Sequence, residues 1–184
     1  MKFLDRFLQN WRINKAVPYV RANDKVLDIG CYDDSLFKKL STKPISWSIG
    51  LDPLLPSDFK TENYILKKGK FPESIPSTES FNCITMLAVL EHIPKKEQLK
   101  LSRDCYSYLE QNGRVIITVP SPAVDYILWI LTKLRLIDGM SLDEHYGFKV
   151  KDVPIIFNSK RFKLIKHKKF QLGLNNLFVF QKIT

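Results

Sequence analysis

The sequence predicts an α/β domain in which a largely parallel sheet carries helices on both faces. Three observations predict it. Short apolar runs with strand character alternate with segments of helical spacing, as βαβ units do. The run Val26-Leu27-Asp28-Ile29-Gly30-Cys31 passes from a buried strand through a carboxylate and a glycine into a helix, the arrangement with which doubly wound sheets receive nucleotide-like ligands. A chain of 184 residues, 45% of them hydrophobic, is long and apolar enough for one substantial core.

The first element is a helix. Phe3, Leu4, Phe7, Leu8 and Trp11 recur at helical spacing and form an apolar stripe within residues 1–20, opposite charged and amide side chains. Such a helix either packs over the sheet and its pocket or lies as a basic amphipathic helix on a membrane. Candidate strands follow at 25–29, 46–51, 64–66, 82–87, 114–119, 162–170 and 176–181, seven in all. Helical spacing covers 35–40 and 95–109, and Gln111-Asn112-Gly113 supplies the turn that stops the second helix. The connection 52–63 is short and holds Pro53 and Pro56, which argues against a crossover helix there. With no internal repeat and no linker, residues 1–184 read as a single domain.

Composition narrows the function classes. Cys31, Cys83 and Cys105 are odd in number and sit in apolar segments, so they read as reduced buried thiols and not as a disulfide frame or a metal site. Lys2, Asp5, Arg6 and Arg12 interrupt the apolar residues near the start, so no signal peptide is expected and the address reads as cytoplasmic. The most apolar stretch, 124–137, is broken by Asp125, Lys133 and Arg135 and falls short of the roughly 20 residues that span a bilayer. A formal charge of +10 favours anionic partners without choosing among them. Because most of the cations are lysines, a solvated basic surface is the simpler reading and nucleic acid is not favoured. Nothing in the sequence sets an oligomeric state.

Candidate binding residues cluster at strand ends. Asp28 and Gly30 close the first strand. The second ends Ile49-Gly50-Leu51-Asp52-Pro53, which puts Asp52 24 positions after Asp28, near the spacing at which Rossmann-like folds grip a ribose diol. Leu54 and Leu55 are then available to cover one face of an adenine. Asp33 and Asp34 either cap the following helix or accept a hydrogen bond from a ligand ammonium group.

These segments resemble the class I S-adenosylmethionine-dependent methyltransferases from about residue 24 to residue 182. Asp28-Ile29-Gly30-Cys31-Tyr32-Asp33-Asp34 resembles their acidic-x-Gly-x-Gly-x-Gly motif, with Tyr32 and Asp34 at the second and third glycine positions. The segment from Phe81 to Leu87, followed by Leu90-Glu91-His92, resembles their fourth motif with Asn82 in place of the usual aspartate. The resemblance implies a Rossmann-like sheet of seven strands, mostly parallel, with an antiparallel last strand. It also implies S-adenosylmethionine as cofactor, with Asp28, Gly30, Tyr32, Asp34, Asp52, Pro53, Phe71 and the main chain at Leu87 around it. The usual acidic residue after the third strand is missing from Lys68-Gly69-Lys70-Phe71, where Phe71 either flanks the adenine or belongs to the core.

Residues 123–148 correspond to the substrate-side insertion of such enzymes and contain Asp143-Glu144-His145-Tyr146. The expected activity is methyl transfer to a small-molecule, sugar or lipid-linked acceptor, without a metal, with His92 and His145 as candidate proton acceptors. Peripheral membrane contact accompanies the lipid-linked case. The altered glycine loop also admits a methyltransferase-like binding protein without catalysis.

Overall fold

The computed structural model describes residues 3–121, 148–158 and 160–183. Its elements are helix α1 (Phe3–Ala16) with a 3-10 turn at Val17–Tyr19, strand β1 (Val26–Ile29), helix α2 (Ser35–Leu40), strand β2 (Ser48–Asp52), strand β3 (Phe59–Lys60) and strand β4 (Tyr64–Lys68). Then come strand β5 (Phe81–Leu87), a 3-10 turn at Leu90–His92, helix α3 (Lys95–Tyr108), strand β6 (Leu109–Pro120), a 3-10 turn at Val150–Asp152, helix α4 (Val153–Ile156), strand β7 (Phe162–Phe170) and strand β8 (Asn175–Lys182).

The strands form one sheet in the order β3-β4-β2-β1-β5-β6-β8-β7. Strands β4, β2, β1, β5 and β6 pair in parallel, whereas β8 and β7 return antiparallel. The fold is therefore the expected mostly parallel α/β sheet, with one strand more than the seven expected. The extra strand is β3, two residues pairing antiparallel with β4, too short to leave a pattern in the sequence.

Burial explains the composition of the central strands. All four residues of β1 and all five of β2 are buried, because a parallel strand covered on both faces needs apolar side chains in succession and not in alternation. On one face Leu27, Ile49, Ile84, Val115, Ile117 and Phe178 pack with Leu101 and Cys105 of α3 and with Val153 and Ile156 of α4. On the other face Val26, Cys83, Ile116, Leu177 and Val179 pack with Ile13 and Ala16 of α1 and with Leu36, Phe37 and Leu40 of α2. The three cysteines are free and buried as expected, and burial pushes their thiols up.

Helix α1 is rotated from the orientation its stripe suggests. Besides Trp11 of the stripe, the side chains that reach the body of the protein are Gln9, Arg12, Ile13 and Ala16, at i, i+3, i+4 and i+7. Phe7 is 49% exposed. Ile13 and Ala16, outside the counted stripe, are the buried residues of the helix.

A buried ion pair braces the amino-terminal edge of the sheet. Arg114 at the start of the buried part of β6 donates through Nη2 to Asp24 Oδ2 at 3.1 Å, both side chains being 9% exposed, and the same oxygen accepts the Arg21 backbone N–H at 2.7 Å. Removing one partner strands the other charge away from water. We expect Asp24→Ala to lower the unfolding free energy by about 3–5 kcal/mol in urea titrations, with an Asp24→Leu/Arg114→Met pair regaining most of that loss. Equal losses in the single and paired variants would show that the ion pair itself, and not the stranded cation, carries the stability.

Candidate active site

The carboxyl ends of β1, β2 and β5 meet at one rim of the sheet. Asp28, third residue of β1, is 3% exposed and registers with Gly50 on one side and Thr85 on the other. Its Oδ1 accepts the Thr85 hydroxyl at 2.6 Å. Burial pushes the Asp28 carboxyl up to about 7, against the lowering effect of the Thr85 hydrogen bond and with the carboxylates of Asp33 and Asp52 raising it further. An acid that titrates near neutrality is held there by its neighbours and its depth.

Asp52 ends β2 and joins two loops. One carboxylate oxygen accepts the Tyr32 N–H at 3.0 Å and the other accepts the Leu54 N–H at 2.8 Å. Each oxygen keeps a further lone pair for a hydroxyl ligand. Gly30 N–H and Cys31 N–H both donate to the Leu51 carbonyl, so the β1 loop is pinned to the end of β2 by backbone as well as side chain.

The glycine-type backbone survives the loss of the glycines. Tyr32, at the second glycine position, adopts φ +55°, and the residue is 54% exposed. Gly30 has φ +72°, and a Cβ there would lie 2.5 Å from Val89 Cγ2. Across the site Ala88, directly after β5, also has a positive φ of +62° and donates its N–H to the Thr118 carbonyl. Left-handed non-glycine residues cost about 1–2 kcal/mol each. Two of them at one rim match the tendency of strain to gather at functional sites.

The remaining sequence candidates divide. Leu87 ends β5 half-buried against the core beneath α1 and α2. His92 closes the turn after β5, with its N–H on the Val89 carbonyl. Gln98 of α3 braces that turn by donating to the carbonyls of Leu90 (3.4 Å) and Ile93 (2.9 Å). Pro53 is exposed beside Asp52. Asp34 faces elsewhere: Oδ2 accepts the Tyr64 hydroxyl at 3.1 Å, and Oδ1 pairs with Lys38 at 2.9 Å. Phe71 sets its ring edge against Tyr108, 5.2 Å between centroids, and packs on the core. His145 and Tyr146 lie outside the described residues.

Asp33, a candidate from the sequence, joins the rim together with three residues that the sequence did not single out as ligand-binding. Asp33 Oδ1, one residue before the N-cap Asp34, accepts the Ser35 N–H at 2.9 Å and also takes a hydrogen bond from Gln9 of α1 at 3.2 Å. Arg12, one turn further along α1, is lowered by burial and raised by the charges of Glu91 and Asp5. Glu91, in the Leu90–His92 turn, is 2% exposed. Thr85 is the fourth, opposite Asp28. The spacing of Gln9 and Arg12 was the available signal, since two polar residues three apart on one helix face share a neighbour.

Three carboxylates within mutual influence, a loop shaped for close approach and half-used acceptors on Asp52 suit a ligand carrying a diol and positive charge. S-adenosylmethionine, with its ribose, ammonium and sulfonium, has that chemistry. Among the described residues no group of His, Cys, Asp or Glu is arranged to hold a metal ion.

Gly30 gives the rim a direct test. Gly30→Ala should cost more than the about 1–2 kcal/mol of a left-handed residue, because the methyl also strikes Val89. In thermal melts, Gly30→Ala/Val89→Ala should recover the collision, judged against Val89→Ala alone, and keep the conformational cost. Full recovery would show that φ at Gly30 is not constrained.

A family model described as a methyltransferase domain matches residues 2–154. No curated protein matches the chain. Among solved structures, magnesium protoporphyrin IX methyltransferase from Synechocystis PCC 6803, which has bound SAH, is similar at a TM-score of 0.71 and 15% identity over 100% of this chain and 89% of that one. The N-methyltransferase NodS from Bradyrhizobium japonicum WM9 is similar at a TM-score of 0.67 and 11% identity, over 98% and 97%. The pyocyanin biosynthetic protein PhzM is similar at a TM-score of 0.68 and 13% identity, but the chain covers 55% of its length against 95% of its own. At such identities these likenesses speak for the fold, whereas the family match spans most of the sequence and contains the whole rim from α1 to the Leu90–His92 turn. The chain thus belongs to the methyltransferase domain family and is a class I S-adenosylmethionine-dependent methyltransferase.

Proposed function

We propose that the protein, acting as one domain over residues 1–184, methylates a small-molecule, sugar or lipid-linked acceptor, with residues 123–148 on the acceptor side. The observation that carries this reading is the Asp52 carboxylate, which ties the β1 and β2 loops together and keeps acceptor capacity for a ribose. S-adenosylmethionine supplies an electrophilic methyl group, and the protein supplies alignment, exclusion of water and a proton acceptor where the nucleophile needs one.

Each residue has a stated task in this reading. Asp52 holds the ribose hydroxyls, and Asp28 with Asp33 provides negative charge for the cationic methionine end. Gly30 and Tyr32 bring their backbone close to the cofactor, while Leu87 contributes main chain from the end of β5. His92, carried by the turn that Gln98 braces, accepts the acceptor's proton, with His145 as the second candidate. Pro53 borders the ribose side. Asp34 and Phe71 enter with a weaker case, because Tyr64, Lys38 and Tyr108 already engage them.

Calorimetric titration with S-adenosylmethionine tests the cofactor half. Asp52→Asn should weaken binding by roughly 10–100-fold, since hydrogen bonds to a charged group are worth about 1.5–3 kcal/mol. Affinity for the cationic ligand should rise as pH passes through about 7, where Asp28 loses its proton, and binding just below that pH should release protons to the buffer. Asp28→Asn should flatten the pH dependence. Undiminished affinity in Asp52→Asn would defeat the ribose assignment.

The catalytic half is tested with a labelled methyl group and a polar-lipid or small-molecule extract as acceptor source. Loss of a general base costs about 10²–10⁴-fold in turnover, and that is the expected effect of His92→Ala or His145→Ala, with cofactor affinity unchanged. Full rate in both variants would leave alignment alone as the source of catalysis.

A further inference from the structure

We propose that the rim of the sheet formed by α1 and the turn between β7 and β8 docks on an anionic lipid bilayer. The inference deepens the lipid-linked branch of the function above, and vesicle binding and cofactor binding are read separately.

The apolar part of this surface comes from two segments joined by a hydrogen bond. Helix α1 packs through Gln9, Trp11, Arg12, Ile13 and Ala16 and leaves Phe7 half-exposed, its ring edge-on to Trp11. At the turn after β7, Leu172 is 99% exposed. Gln171 Nε2 donates to the Leu8 carbonyl at 3.4 Å, so the turn is fastened to α1 one residue from Phe7. Gln171 also accepts from Asn175 Nδ2 at 2.6 Å, and the backbone bonds Gly173 N–H to Phe170 O and Leu174 N–H to Gln171 O close the turn. A leucine held out into water by a well-bonded turn, tied to the helix that carries the half-exposed Phe7, gives this rim an apolar tip.

Charge identifies the occupant. Residues 153–184 contain seven lysines and arginines and no acidic residue. Strand β7 is exposed from Lys163 to Lys169, and its Lys163, Lys166, Lys168 and Lys169 form no ion pair among the described residues. Lys166 registers with Val179 and Lys168 with Leu177, so both lie on the face that α1 covers. Arg6, exposed, flanks Phe7. Apolar tips bordered by unpaired lysines match the headgroup region of an anionic leaflet, where acyl chains take the tips and phosphates take the ammonium groups.

The surface also lies at the functional end of the sheet. Asn175 at the start of β8 registers with Pro120 at the carboxyl end of β6, and Gln9 ties α1 to Asp33 of the cofactor loop. A bilayer against α1 and Leu172 therefore stands next to the methyl-transfer rim, within reach of an acceptor anchored in the leaflet.

The test uses the full chain and vesicles of phosphatidylcholine, alone or mixed with phosphatidylglycerol. The protein should cosediment with the mixed vesicles, weakly with the neutral ones, and less as salt rises. Leu172→Asp, which changes a side chain that touches solvent only, should lower partition by about tenfold, and so should Lys166→Glu/Lys168→Glu. Calorimetric titration with S-adenosylmethionine should be the same in both variants and the wild type, which separates loss of docking from loss of the cofactor site. The inference is overturned if the wild type ignores the mixed vesicles, if Leu172→Asp partitions like the wild type, or if the lysines bind a nucleic-acid duplex and not the vesicles.

Discussion

The parallel pairing of β1 between β2 and β5 constrains everything at the rim. It aligns three strand ends, so that Asp28, Asp52 and the Ala88 backbone arrive together although they are far apart in sequence. It also removes water from Asp28. A carboxyl so placed keeps its proton to neutral pH unless a cation or a donor arrives, and the sheet gives it the Thr85 hydroxyl as a donor. The neighbouring loops then cannot be left free, and the Asp52 carboxylate holds one on each oxygen. Electrostatic repulsion among the acids is the cost of the arrangement, and it makes the rim receptive to positive charge.

How much of this was legible in the sequence depends on which force writes each feature. Buried parallel strands write themselves as apolar runs, so β1, β2 and β5 are visible, and the acid-x-glycine ending of β1 shows where the chain must turn tightly. The Leu90-Glu91-His92 turn was equally plain. Tyr32 was the hard position, because its residue type argues against a left-handed backbone and the hydrogen bond that compensates comes from Asp52, twenty residues away. Asp33 and Asp34 could not be told apart by composition. The structure gives Asp33 to the Ser35 N–H and Gln9, and Asp34, at the N-cap position, to Tyr64 and Lys38.

The helix at the start shows the same limit from another side. Its periodicity was correct and its packed face only in part, since hydrophobic count does not say which residues find a surface to cover. Ile13 and Ala16 sit against the sheet while Phe7 does not. Likewise β6 begins at Leu109, five residues before its apolar run, because Leu109 pairs with Phe81 ahead of a bulge that the residue types did not announce.

The bond between Gln171 and the Leu8 carbonyl links positions 163 apart, and β8 fills a sheet position between β6 and the edge. During synthesis the first helix therefore leaves the ribosome long before the surface it covers exists. Leu177 and Val179, which lie under α1, are made about 160 residues after it. Contacts of such separation form late and slow the approach to the native state, so the nascent chain carries an uncovered amphipathic segment until β8 has been made. The interval during which chaperones or other surfaces can engage that helix is set by the position of β8 in the message, and not by the stability of the finished protein.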